Sequence, residues 1–190
     1  AVDLAVGMLQ RARQLQRVEN CIQADLEHLP FAPHSIDLIF SNLAVQWSDH
    51  LSHVMRSVHH SLRAQGVFAF STVLEGSLNE LATVWADAKQ PAPINTFRDA
   101  EAYRTALMQQ GFEVLTLHAA QHVCFYPNLY ALLREFKALG VGHVKHSLPP
   151  GLHARSRLAK LEAAYEPLRQ PRGLPLSWEI LYVVAQPKHG

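Results

Sequence analysis

Apolar residues fall in short runs along this chain, and several of those runs close on an acid or a small polar residue. The clearest is Ser35–Trp47, where Ile36, Leu38, Ile39 and Phe40 have the apolar density of a parallel strand covered on both faces. Ser41 and Asn42 follow where such a strand presents its carboxyl end. Upstream, Ala1–Leu4 reads as a strand closing at Asp3, and Asn20–Ala24 as another closing at Asp25. Between them Gly7–Leu15 has helical spacing, with Arg11, Arg13 and Arg17 turned to solvent. A turn through Pro30 and Pro33 leads into the strand at 36–40. Leu51–Leu62 is amphipathic and helical, Gly66 is expected just past its end, and Val67–Thr72 is the next strand. That alternation is the spacing of right-handed βαβ crossovers.

Beyond Thr72 the texture changes. Leu74–Lys89 reads as a helix broken by Pro91 and Pro93, and Asp99–Gln110 as a helix stopped by Gly111. Phe112–Tyr126 is a long strand, Asn128–Leu139 a helix ending at Gly140, and Leu152–Tyr165 a helix between Pro149-Pro150-Gly151 and Pro167–Pro175. Trp178–Ala185 closes the chain as a strong strand. The pattern predicts an α/β fold in a single domain, 1–190, with a mostly parallel sheet and an antiparallel C-terminal strand pair. A helical insertion is expected at about 127–172. Open sheets of this kind bind ligands at the carboxyl ends of their strands, and acid, acid and polar tip in that order make a nucleotide-binding layout.

Composition narrows the partners. The 190 residues are 48% hydrophobic and 17% charged, enough for a substantial core, and the formal charge of +1 gives no general basis for a nucleic-acid or anionic-membrane partner. Twelve His raise the surface charge steeply below about pH 6.5. Cys21 and Cys124 lie far apart without metal or disulfide spacing, which suits a reducing compartment. No apolar run nears the roughly twenty residues that span a bilayer, so a soluble, cytoplasmic protein is expected. Ala1 opens a strand already under way, and an N-terminally truncated chain is expected.

Asp3-Leu4, Met8-Leu9 with Ala12-Arg13, Asp25 with Leu29-Pro30, and Asp37-Leu38 with Ser41-Asn42 stand in the order and spacing of a known family. The chain resembles the class I S-adenosylmethionine-dependent methyltransferases, whose sheet is Rossmann-like. Ser41–Trp47, Gly66–Thr72, Gly76-Ser77-Leu78 with Glu80-Leu81, and Leu133–His143 are similar to the malonyl-acyl-carrier-protein O-methyltransferases of biotin synthesis. Arg155–Leu158 and Pro175–Trp178 carry the similarity almost to the end. The family's first strand and its glycine-rich loop, roughly Gly-x-Gly-x-Gly, have no counterpart here. Feeble binding of S-adenosylmethionine by this chain, or none, is therefore expected.

The resemblance implies roles. Asp3 would accept from the ribose hydroxyls, against the plainer reading of a helix N-cap. Asp25 would accept from the adenine amine with Leu26 on the ring, against an ordinary turn Asp. Ser41, Asn42 and Leu43 would line the cleft near the methionyl end. Gln46 and Trp47 would wall the transfer chamber, with Trp47 equally placed to be a core anchor. Malonyl-acyl carrier protein, or malonyl-CoA, is the implied substrate, and Arg134, Lys137, His143 or Arg155 would hold its carboxylate. For each of these a solvated basic face is the alternative. Arg155, Arg157 and Lys160 would form a basic lip for an acidic carrier protein. No His has zinc spacing, so no metal is expected, and no Gly-x-Ser-x-Gly is present to support a nucleophilic triad. Three other functions are weighed: methyl transfer to another small molecule, such as a quinone precursor or a free acid; a catalytically silent binding remnant; and, least, a nicotinamide oxidoreductase.

Overall fold

The computed structural model describes residues 1–87, 95–138 and 154–188. It divides into two compact units: Ala1–Val73 with Arg98–Ala119 and Leu181–Gly190, and Leu74–Phe97 with Ala120–Ile180. Residues 127–172 fall within the second unit.

The first unit begins with β1 (Val2–Asp3), α1 (Val6–Gln14) and β2 (Ile22–Gln23). β1 and β2 are parallel, with Asp3 opposite Gln23. β3 (Ile36–Asn42), α2 (Leu51–Ser61) and β4 (Leu62–Val73) follow, and β3 pairs with β4 in parallel, Leu38 opposite Val67 and Asn42 opposite Ser71. On α2, Leu51, Val54, Met55 and Val58 recur on one face and are buried, the spacing that makes a helix pack on a sheet. α4 (Ala100–Gln109) packs on α2 and buries Tyr103 and Leu107. Its first turn is capped by Asp99, whose Oδ1 accepts from Ala102 N–H at 2.7 Å. Gly111, at φ +80°, then turns the chain into β5 (Phe112–Tyr126).

The order in the larger sheet is β3-β4-β6-β5, where β6 is Leu174–Pro187. β6 opposes β5 in direction: Lys188 N–H donates to the Gly111 carbonyl at one end, while Gly173 abuts the Tyr126 carbonyl at the other. The expected α/β sheet with an antiparallel C-terminal pair is what forms. In the second unit α3 (Asn79–Asp87), α5 (Leu129–Ala138) and α6 (Ala154–Tyr165) enclose a core that includes Leu81, Trp85, Leu132, Phe136, Leu161 and Tyr165. β6 starts earlier than the expected Trp178 because Leu174 and Leu176 are buried in that core, and Tyr165 donates its hydroxyl to the Pro175 carbonyl at 2.6 Å.

Three expectations need correction. The strand at 36–40 is not covered on both faces: Leu38 is 59% and Phe40 72% exposed. β3 is the end strand of its sheet, and residues two apart in a strand share a face, so both project from the same uncovered side. Gly66 is not the residue past the end of α2, because the chain enters β4 at Leu62 directly. It lies at the register shift between Ile36 opposite Leu62 and Leu38 opposite Val67, where a Cβ would stand 3.0 Å from the carbonyl oxygens of Ile36 and Arg63. The helix expected from Leu74 begins only at Asn79. Residues 74–78 instead fasten to β6, through Leu74 N–H to the Glu179 carbonyl and Leu78 N–H to the Ser177 carbonyl. Lys89, Pro91, Pro93, Leu139, Gly140, Pro149–Gly151 and Leu152 lie outside the described residues.

A titration is built into the first unit. His59 meets the Phe112 ring edge-on at 5.2 Å, and burial, helped by His34 and His60, holds its pKa below the ordinary imidazole value. The folded state then favours the neutral ring, so this stability is present above about pH 6.5 and is lost as pH falls through the lowered pKa. The urea midpoint is expected to fall between pH 7 and 5.5, and to fall less in His59→Leu. An equal pH slope in the two proteins would show that His59 is not the group responsible.

Candidate functional site at the strand tips

The site is built at the carboxyl ends of the first unit's strands, where the sequence turns from apolar to polar. Asp3 and Asp25 come together there because β1 and β2 are adjacent and parallel. Asp3 Oδ1 accepts from Ala5 N–H at 2.8 Å, a turn contact rather than the N-cap of α1, which is Ala5. Asp25 Oδ1 accepts from Glu27 N–H at 2.9 Å. Each carboxylate thus spends one oxygen on its own turn and, among the described residues, keeps Oδ2 without a partner. Leu26 beside Asp25 is half-buried.

At the tips of β3 and β4 a chain of hydrogen bonds closes the edge. Leu43 takes φ +52°, the left-handed region that a non-glycine residue enters only when its surroundings hold it. Its N–H donates to the Ser71 carbonyl at 3.0 Å, and Gln46 Nε2 donates to the Leu43 carbonyl at 2.7 Å. Ser71 donates its hydroxyl to Asn42 Oδ1 at 2.5 Å. The Thr72 hydroxyl lies 3.3 Å from Gln46 Oε1 and 3.0 Å from the Tyr103 hydroxyl. Thr72 and Tyr103 are fully buried, so their end of the network is sheltered from water, which strengthens the bond between them. Ser41 is half-buried, while Asn42 and Leu43 are exposed. Trp47 is 48% exposed, and Val45 is the buried anchor of the 3₁₀ turn Val45–Trp47.

Arg134 is exposed on α5, in the second unit, and makes no hydrogen bond or ion pair among the described residues. Lys137 is on the same helix and Arg155 on α6. His143 lies outside the described residues. No group of three or more His, Cys, Asp or Glu is placed to hold a metal among the described residues, and no described helix is long and apolar enough to cross a membrane.

Sequence reasoning passed over Ser71, Thr72, Tyr103 and Glu27. Ser71-Thr72 carried a signal, since it ends an apolar strand as Ser41-Asn42 does. Tyr103 stands at an ordinary apolar position of a helix and carried none.

A family model described as "Methyltransferase domain" matches residues 1–70. The chain is 37% identical over 184 residues to a malonyl-acyl-carrier-protein O-methyltransferase of Yersinia pestis, covering 97% of this chain and 67% of that protein. To the protein of the same name from Pectobacterium atrosepticum it is 34% identical over 191 residues, covering 97% and 71%. Among solved structures, an S-adenosylmethionine-dependent methyltransferase of Mesorhizobium loti superposes with a TM-score of 0.52 at 20% identity, over 97% of this chain and 78% of that one. At that identity the likeness is one of fold.

Proposed function

Since the chain belongs to the malonyl-acyl-carrier-protein O-methyltransferase family, we propose that its strand-tip edge holds S-adenosylmethionine and that the reaction methylates the free carboxylate of a malonyl thioester. The observation that carries the reading is the pair Asp3 and Asp25, on adjacent strand ends, each with a carboxylate oxygen left over. These acceptors fit the cofactor, whose ribose hydroxyls and adenine amine donate. Asp3 is assigned the ribose, Asp25 the adenine amine with Leu26 against the ring, and Ser41, Asn42 and Leu43 the methionyl end. When bound, the cofactor supplies an electrophilic methyl group on a sulfonium.

The rest of the chemistry asks little of the protein. A malonyl carboxylate, with a pKa near 4, is ionised at neutral pH and is already a nucleophile. No general base is needed, only an enzyme that holds one carboxylate oxygen in line and keeps water out. Gln46 is tied to Leu43 and Thr72, so it steadies the wall of the edge. Trp47, next to it in the 3₁₀ turn and 48% exposed, is assigned to the same wall. The acceptor carboxylate is assigned to a cation of the 127–172 segment, Arg134 first, with Lys137, His143 and Arg155 as the alternatives. The carrier is an acyl carrier protein, or malonyl-CoA in its place.

Asp25→Ala is expected to weaken S-adenosylmethionine binding by about 1.5–3 kcal/mol, the loss of a hydrogen bond to a charged group, or roughly ten- to a hundredfold in Kd. Calorimetric titration of parent and variant is the measurement. An unchanged Kd removes Asp25 from the cofactor edge.

A further inference from the structure

We propose that Glu27 is a positioning residue whose carboxylate clamps the turn bearing Asp25 and Leu26 to the loop bearing Gln46 and Trp47, and so sets the width of the cofactor edge. The proposal rests on the reading that this edge takes S-adenosylmethionine. β1–β2 and β3–β4 belong to different sheets, so no backbone ladder fixes Asp25 relative to Asn42. Side-chain hydrogen bonds supply a link between them.

Glu27 is built for that task. Its side chain is only 14% exposed. Oε1 accepts from the Ser48 hydroxyl at 2.7 Å and from His50 N–H at 3.2 Å, and Oε2 lies 3.4 Å from His53 Nδ1. On the other side, Glu27 N–H donates to Asp25 Oδ1, so one residue grips both halves of the edge. The loop it grips is held from α4's side too: Arg98 donates to the carbonyls of Ser48 and Asp49 at 3.0 and 2.9 Å. Leu29 N–H donates to Ser57 Oγ at 2.8 Å, which fastens the next residues of the turn to α2.

A carboxylate suits the position because it offers two acceptor oxygens and bonds shortened by charge. Losing most of its water is costly, and the hydroxyl, the amide and the imidazole offset the loss. The Ser48 hydrogen bond, foremost, holds the pKa below the usual carboxylate range against the opposing pull of burial, so the clamp is charged at neutral pH. Glutamine keeps one acceptor for Ser48 and His50 and puts an amide NH2 in place of the oxygen that faces His53 Nδ1. Alanine loses everything.

The test measures amide hydrogen exchange across residues 44–50 and S-adenosylmethionine affinity in the parent, Glu27→Gln and Glu27→Ala. Glu27→Ala is expected to speed exchange in that loop about tenfold or more, with β4 and α2 still protected, and to weaken the cofactor about tenfold. Glu27→Gln is expected to stay within about threefold of the parent on both readouts. Parent-like exchange in Glu27→Ala overturns the clamp. Faster exchange with unchanged affinity overturns its role at the cofactor edge, and equal losses in both variants spreading into α2 and β4 reduce Glu27 to a general stabiliser. Faster exchange confined to residues 44–50 in Glu27→Ala supports the clamp whatever the parent's affinity, while the functional reading fails if the parent, supplied with the family's first strand and glycine-rich loop, still binds no S-adenosylmethionine.

Discussion

Gly173→Ala is expected to destabilise the second unit by about 2–5 kcal/mol, combining a backbone held where only glycine is at ease with forced overpacking. Gly173 closes the tight turn after α6, where its N–H and carbonyl exchange hydrogen bonds with Gln170 at 2.9 Å each. It stands at φ +123°, and a Cβ there would sit 2.5 Å from the Tyr126 carbonyl oxygen. That oxygen belongs to the backbone, so it has no flexible end to move aside. A loss of this size lowers Tm by roughly 5–15 °C in a chain of this length. Gly7→Ala is the matched control, because Gly7 lies in α1 with nothing within 4 Å of its would-be Cβ. There the same change is expected to stabilise by about 0.4–1 kcal/mol, through the lost freedom of the unfolded chain. Thermal unfolding followed by circular dichroism reads both, and a Tm for Gly173→Ala equal to the parent's would show that the turn relaxes without strain.

Gly173 also marks where sequence stops being legible. The segment from Pro167 to Pro175 reads as a bracket of breakers, and nothing local says which member meets the backbone of residue 126, far away in the chain. Gly66 failed for the same reason: a glycine after a helical run looks like a helix stop, while the constraint is the Ile36 carbonyl across the ladder. Where the signal is periodic, the reading held. β5 runs from Phe112 to Tyr126, a strand the sequence draws with partial alternation, and α2 buries the apolar stripe its spacing draws. Burial was harder than element type, because Leu38 and Phe40 look like core from composition and lie on the open side of an end strand. At the site, strand-end residues were visible because an apolar run that breaks into polar residues is a local pattern. Glu27 was not, since its partners Ser48, His50 and His53 follow more than twenty residues later and are set by folding alone.

Arg134→Ala is expected to cut methyl transfer to a malonyl thioester while leaving S-adenosylmethionine affinity unchanged. Orienting an ionised acceptor calls for a cation with directional donors, and the guanidinium is the side chain that meets both oxygens of a carboxylate at once. Arg134 is exposed on α5 and carries no partner among the described residues, so its charge is not already spent on a structural ion pair. Loss of a charge-assisted contact is worth about 1.5–3 kcal/mol, hence roughly ten- to a hundredfold in rate where it is felt in the transition state. Kinetics with malonyl-acyl carrier protein and titration of the cofactor, run side by side for Arg134→Ala, Lys137→Ala and Arg155→Ala, identify the residue that holds the carboxylate. Wild-type turnover in Arg134→Ala transfers that role to whichever of Lys137 and Arg155 does lose it. Arg134→Lys separates charge from shape: a point charge keeps the attraction but not the fork, so an intermediate rate is expected if the pairing is bidentate. A rate equal to the parent's would leave charge alone as the requirement.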